Sequence, residues 1–359
     1  AMTVNKASVA HVNQGVIDLS GGNLTIVISG TTPSFTTTGT IDVPTGRTLT
    51  LQGGIAGGAG QNFYYAGGTM GGAGTVALLN STLNLTNPLA SSMAQLAGTS
   101  SIVNGPSTLT VSAGTTVTFS GCTINATTVT EPTCTLQLTN SDHLGALTNN
   151  GVTEWIGTCA WSGNVTTGPG SLVRVLANAS FNTAVTAANG FTNSANIELL
   201  ASGAATAATL NVTAGTLVNA PTGVISSLVA SGGARNLNAK LDNQGTITVA
   251  QSMTTNKASV QHLNSGTINL TTGNYTVILS GTTPSFTTTG TIDVPTGRTL
   301  TLQGGIAFGA GQNYFYNGGT MGGAGTVALV NANLVLNAPL ATAMAHLDGT
   351  QSIVSGPAL

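Results

Sequence analysis

Residues 29–56 read SGTTPSFTTTGTIDVPTGRTLTLQGGIA, and residues 280–307 read the same without a change. Around that run, residues 1–108 align onto 252–359 without a gap at a constant offset of 251, and about 70% of the pairs are identical. Such self-similarity limits the options sharply: one structural unit has been reused, and the two copies must share a fold. Gly356-Pro357-Ala358-Leu359 matches Gly105-Pro106-Ser107-Thr108, so the second copy stops where the first runs on into residues 109–251. The expectation is a segment of a longer array. Ala1-Met2 likewise aligns with Ser252-Met253, and no cleavable leader opens the sequence, so an export signal would lie outside it.

A shorter beat runs inside the long one. An apolar residue, then Asn, then Gly and a second apolar residue recur at Val12-Asn13-Gln14-Gly15-Val16-Ile17, Leu241-Asp242-Asn243-Gln244-Gly245-Thr246-Ile247 and Leu263-Asn264-Ser265-Gly266-Thr267-Ile268. The glycine step falls at Gly223, Gly245, Gly266 and Gly290, at intervals of 22, 21 and 24. That interval suits one coil of a parallel β-helix, two or three short strands joined by turns and stacked about 4.8 Å apart. The expected fold is therefore all-β: a single parallel β-helix (β-solenoid) continuous over 1–359, about 15 coils of roughly 21–25 residues, with 109–251 as the coils between the two copies. Right-handed winding is expected, because it accommodates long irregular coils. Runs such as Thr48-Leu49-Thr50-Leu51 would send every second side chain inward, building ladders of Leu, Ile and Val. The Asn before each Gly would sit at a corner, where left-handed backbone is tolerated, and its amide could hydrogen-bond along the stack. An array of β-sandwich domains would give short strands too, but it has no reason for a beat of about 22 residues.

Composition supports strands and removes several functions. Charged residues make up 4% of the chain against the usual ~25%, while 41% is hydrophobic. With Lys, Glu and Arg so scarce and Gly, Thr and Asn in every window, long helices have nothing to form from. A net charge of −2 and seven scattered Lys and Arg exclude a nucleic-acid partner that needs a basic stripe. No run approaches the apolar length of a membrane-spanning helix. Cys122, Cys134 and Cys159 lack metal-binding spacing; Cys134 could bridge Cys159 or Cys122 across neighbouring coils, or all three could be small buried apolar residues. No metal or cofactor is implied.

Differences between the copies follow the same plan. Ile26-Val27-Ile28 becomes Val277-Ile278-Leu279 and Phe63-Tyr64 becomes Tyr314-Phe315, swaps that packed sites tolerate. Gln14 to Ser265 and Asp18 to Asn269 suit exposed turns. The phrase Ile41-Asp42-Val43-Pro44-Thr45-Gly46-Arg47-Thr48-Leu49-Thr50-Leu51, with the Asn-x-Gly-x-Ile beat, resembles repeats of filamentous-haemagglutinin-like adhesins and other giant bacterial surface proteins. The resemblance implies a family style and an extracellular or cell-surface setting, and it carries over no functional residue.

Three function classes then compete. The first, and preferred, is a non-catalytic stalk or adhesin segment meeting surface glycans or neighbouring surface-protein molecules, with end-to-end self-association through its terminal coils. Its binding candidates are two aromatic stretches that hold six of the fifteen aromatic residues: Gln61, Asn62, Phe63, Tyr64 and Tyr65, and again Gln312, Asn313, Tyr314, Phe315 and Tyr316. Each follows a glycine-rich segment that stretches the coil to about 29 residues, as a loop thrown outward would. Aromatic faces stack on sugar rings and neighbouring amides bond hydroxyls; alternatively these rings fill the coil interior. The second class is a polysaccharide lyase or hydrolase, which needs convergent carboxylates. Asp42 with Arg47, repeated as Asp293 with Arg298, offers either a charged site or a corner salt bridge, and Asp142, His143, Glu154 and Trp155 form the nearest approach to a catalytic group. The third is an ice- or surface-binding face of Thr-x-Thr pairs such as Thr36-Thr38, Thr48-Thr50 and Thr299-Thr301, which strand propensity explains equally well.

Overall fold

The computed structural model describes residues 1–54, 61–90, 92–305, 312–340 and 346–356, with the side chains of 92–94 left aside. Among these residues the protein is all-β, with no helix, and its parallel strands stack as a β-solenoid of about 15 coils. It packs as two compact units, 1–172 and 173–359, so each copy of the long repeat lies within one unit.

In the first unit a coil contributes one strand to each of three parallel sheets. The first sheet stacks Met2–Asn5, Leu24–Ile28 and Thr48–Gly53, then the second half of Thr69–Leu79, and continues to Val152–Ile156. The second stacks Ala10–Asn13, Ser34–Thr37, Asn62–Tyr65 and Thr82–Leu85 and runs on to Thr158–Trp161. The third begins with Val16–Asp18, Thr40–Asp42 and the first half of Thr69–Leu79. The second unit repeats the scheme: Met253–Asn256, Tyr275–Leu279 and Thr299–Gly304 form one wall, Gln261–Asn264, Ser285–Thr288 and Asn313–Tyr316 the next, and Thr267–Leu270, Thr291–Asp293 and Thr320–Gly322 the third.

Strand alternation builds the core directly. Residues in register form inward columns such as Ile26, Leu51, Leu78, Gly98, Phe119, Leu138 and Trp155; all are buried, each apolar side chain contributing about 1.5–3 kcal/mol by its removal from water. Gly98 is small for a reason: a Cβ there would run into the Phe119 ring of the next coil. The coils are less uniform than the beat suggests. Paired residues are 17 apart at Thr135 and Val152 and 29 apart at Thr40 and Thr69, because strands keep register while turns absorb length.

The Asn ladders exist, but not at left-handed corners. In the second unit Asn193 donates to Asn219 at 2.8 Å, Asn219 to Asn243 at 2.8 Å, Asn243 to Asn264 at 2.7 Å, and Asn264 to Thr288 Oγ1 at 3.0 Å. All five side chains are buried and sit at inward-facing strand ends. Left-handed backbone recurs instead between the first and second sheets, at Asn80, Ser100, Gly121, Asn140 and Gly157, and elsewhere falls mostly on glycines such as Gly46, Gly67 and Gly68 rather than on the ladder asparagines. The two roles separate because an inward amide needs strand geometry to reach the residue above it.

Candidate functional site

Alternation divides each aromatic stretch between the two sides of its wall. Phe63 and Tyr65 point inward and are buried, as are Tyr314 and Tyr316. Phe63 packs on Phe35 with ring centroids 6.0 Å apart, and Tyr314 on Phe286 at 6.1 Å. The Tyr65 hydroxyl donates to the Gly68 carbonyl at 2.7 Å, and Tyr316 to Gly319 at 2.7 Å. Gln61 and Gln312 are buried too, each accepting at 2.5 Å from the backbone N–H of Gly54 or Gly305. These six side chains are therefore wall and turn structure, with no face open to a sugar ring. Only Asn62, Tyr64, Asn313 and Phe315 face outward, half-buried. The expected outward loop falls on residues 55–60 and 306–311, which lie outside the described residues.

Tyr64 lies in register with Asn84, which leads an outward row of amides. Asn84 donates to Asn62 at 3.0 Å, Asn104 to Asn84 at 3.4 Å and Asn125 to Asn104 at 2.7 Å. The second copy shifts this row by two residues: Phe315 stands next to Val335 and then Ser355, while Asn333 donates to Asn313 at 2.8 Å and the Ser355 hydroxyl to Asn333 at 3.3 Å.

The other candidates come apart similarly. His143 and Trp155 are buried while Asp142 and Glu154 point outward, so the wall divides them. His143 Nδ1 lies 3.1 Å from the Gly145 carbonyl and must carry the proton there, leaving Nε2 to accept from the Thr128 hydroxyl at 2.9 Å. Burial pushes this imidazole down to about 4, which keeps it neutral. Trp155 stacks on Trp161 with centroids 5.6 Å apart. Cys122, Cys134 and Cys159 are all free and buried, and burial raises each thiol. Thr48, Thr50, Thr299 and Thr301 line the outside of their sheets half-buried, as ordinary strand residues do. No group of three or more His, Cys, Asp or Glu able to hold a metal, and no helix long and apolar enough to cross a membrane, occurs among the described residues.

What recurs, with two of its six column positions changed, is a groove on the third sheet. In the first copy Val16, Thr40 and Thr69 form one outward column, and Asp18, Asp42 and Gly71 a second. In the second copy the columns are Thr267, Thr291 and Thr320, and Asn269, Asp293 and Gly322. Each set lines a surface cavity, of about 450 Å³ and about 470 Å³ respectively. Asp42 and Asp293 do not pair with Arg47 and Arg298. The arginines reach instead to the turn of the coil before, Arg47 Nη2 to the Ser20 carbonyl at 3.4 Å and Arg298 Nη1 to Thr272. Both carboxylates are exposed, and neither takes a hydrogen bond or ion pair from the described residues. Beside them the chain turns through Gly72 at φ 106° and Gly323 at φ 109°. A Cβ at either would collide with the Val43 or Val294 carbonyl and crowd the aspartate itself. Sequence reading found the aspartates but missed the floor; the signal was Thr-Met-Gly-Gly, kept in both copies at 69–72 and 320–323.

A scan against protein-family models gives no match for this chain, and neither curated proteins nor solved structures give one.

Proposed function

We propose that this chain is a repeat-built segment of a large extracellular bacterial surface protein, a stalk or adhesin without catalytic activity. The supporting observation is the duplication seen at atomic level: the same strand register and a groove with the same aspartate, threonines and glycine floor are built twice at an interval of 251 residues. A surface feature repeated along an array gains avidity without any single strong site. A lone catalytic centre gains nothing from this. Hydrolysis of a glycosidic bond calls for two working carboxylates. In the first groove Asp18 is already engaged by the Ser20 N–H at 2.7 Å and the Ser20 hydroxyl at 3.1 Å. In the second, asparagine stands at that position as Asn269. The filamentous-haemagglutinin-like style of the repeats agrees with this setting. The test is antibody labelling of source cells: staining of intact, unpermeabilised cells is expected, and staining that appears only after permeabilisation would contradict the extracellular reading.

A further inference from the structure

The twin grooves ask for a ligand of definite chemistry. An ionised carboxylate only accepts hydrogen bonds and offers about four lone-pair positions, so whatever meets Asp42 or Asp293 must donate. Beside them the threonine hydroxyls can accept and donate; in the first groove Thr69 donates to Thr40 Oγ1 at 3.2 Å, which leaves the Thr40 proton to be donated outward, and in the second Thr291 and Thr320 stand at the same places. A surface of acceptors and hydroxyls, with no cation turned into it, disfavours acidic ligands. It suits a partner made of neighbouring hydroxyl groups, each both donor and acceptor. A calcium ion would want six to eight oxygens, and the second groove supplies one carboxylate. The glycine floor leaves space where a side chain would otherwise stand against the aspartate. The groove also crosses successive coils stacked about 4.8 Å apart, so it presents its hydroxyl column to a chain rather than to one small molecule.

We propose that each groove is a subsite for a neutral polysaccharide, with Asp42 or Asp293 accepting hydrogen bonds from two vicinal hydroxyls of a sugar ring while the adjoining threonine column meets the hydroxyls of the next. This deepens the adhesin reading and takes its biological setting from it, but the assignment stands or falls on binding alone. Asparagine at position 42 or 293 keeps the shape of the side chain while removing its charge and one of its two acceptor oxygens. Charge-assisted hydrogen bonds are about twice as strong as neutral ones.

The experiment uses the full chain on a printed array of neutral glucans, mannans, galactans and xylans with acidic pectate and hyaluronate as controls, followed by calorimetric titration with an oligosaccharide of the best neutral binder in the presence of EDTA. Binding to a neutral polysaccharide at two equivalents per chain is expected. Asp42→Asn or Asp293→Asn alone should leave one strong equivalent. The double variant should weaken binding by about tenfold or more with an unchanged circular dichroism spectrum, and Tyr64→Ala with Phe315→Ala should bind as the parent does. Three results would overturn the assignment: no binding to any neutral polysaccharide, undiminished binding by the double aspartate variant, or binding abolished by EDTA, which would mean a cation site. Labelled intact cells together with no glycan binding would retain the stalk and remove the groove.

Discussion

The two copies of the long repeat show how much of a residue's environment comes from the neighbouring coil rather than from its own sequence. Leu96 is fully buried, while its counterpart Leu347 is 42% exposed; Val103 is fully buried and Val354 is 50% exposed. At the other end of the repeat the difference reverses: Met253 is 2% exposed and Met2 64%. Among the described residues the buried member in each case is paired with a strand on both sides and the exposed member with a strand on one. Gln95–Thr99 is flanked by Thr75–Leu79 and Thr116–Ser120, whereas His346–Thr350 pairs only with Thr326–Val330 among the described strands. Stability in such a stack is a sum of nearest-neighbour interfaces. Sequence identity fixes the path of the backbone, and the adjoining coil completes the core.

The sharpest way to break this picture is to cut the ladder that joins coil to coil. Asn243 accepts from Asn219 at 2.8 Å and donates to Asn264 at 2.7 Å and to the Thr267 carbonyl at 3.2 Å, all inside the wall. Asn243→Ala should cost about 3 kcal/mol, since it strands buried partners above and below. Asn84→Ala, in the outward row of the first copy, should cost less than about 1 kcal/mol because water replaces the lost bonds. Chemical denaturation of the two variants separates these outcomes, and equal losses would contradict the inside–outside distinction.

A second test uses acid. Burial holds His143 in the first unit and His262 in the second at about 4, against an ordinary 6.5; the Lys240 charge adds to the effect at His262. Between those values the unfolded chain binds more protons than the folded one. Stability is therefore full above pH 6.5 and falls as the pH drops toward 4, by about 1.4 kcal/mol per pH unit for each histidine. Denaturation midpoints measured from neutral pH to about pH 5 should show this slope, and His262→Gln should flatten it in the second unit. A slope unaffected by that change would mean the imidazole is not held neutral.

A smaller effect sharpens the comparison at a single pair. Val4 and Leu24 of the first copy are Thr255 and Tyr275 in the second. Tyr275 is fully buried, its phenol pushed up to about 12 by burial, and its hydroxyl lies 2.7 Å from Thr255 Oγ1. Thr255→Val should cost about 1–2 kcal/mol by leaving that hydroxyl without its partner. Adding Tyr275→Leu should recover most of the loss, because the pair then matches the first copy. Additive losses would show that the two residues are independent. Smallest of all is the effect of reductant. With all three cysteines free, dithiothreitol should leave the thermal midpoint unchanged, and a drop would reveal a bridge.

How much of this the sequence made legible follows from the same physics. The all-β stack and the amide ladders could be read, because an inner beat and strand alternation are local and repeat many times. The aromatic stretches were misleading: Phe63-Tyr64-Tyr65 reads as a cluster, but period-two alternation sends the first and third rings inward and one outward. The corners were misplaced because Asn-x-Gly suggests a left-handed turn, whereas Asn243 and Asn264 keep strand backbone and use their side chains along the stack. Arg235 escaped notice altogether. It lies fully buried in register with Ala208 and Met253, and its guanidinium donates to the carbonyls of Gly232, Ala201 and Leu228 at 2.7, 3.1 and 3.0 Å. Only the folded turn brings those carbonyls together. The groove was half legible for the same reason, since its aspartates stand in the sequence but its shape depends on glycines in the next coil.

The most direct test of the central claim, that each coil is completed by its neighbours, is native-state hydrogen exchange of the full chain read peptide by peptide. Leu24–Ile28 and Tyr275–Leu279, each with a strand on both sides, should be protected to a similar and high degree. Gln95–Thr99 should exchange far more slowly than His346–Thr350, which has the same place in the repeat. Equal protection of those last two segments, or rapid exchange throughout Leu24–Ile28, would contradict the account.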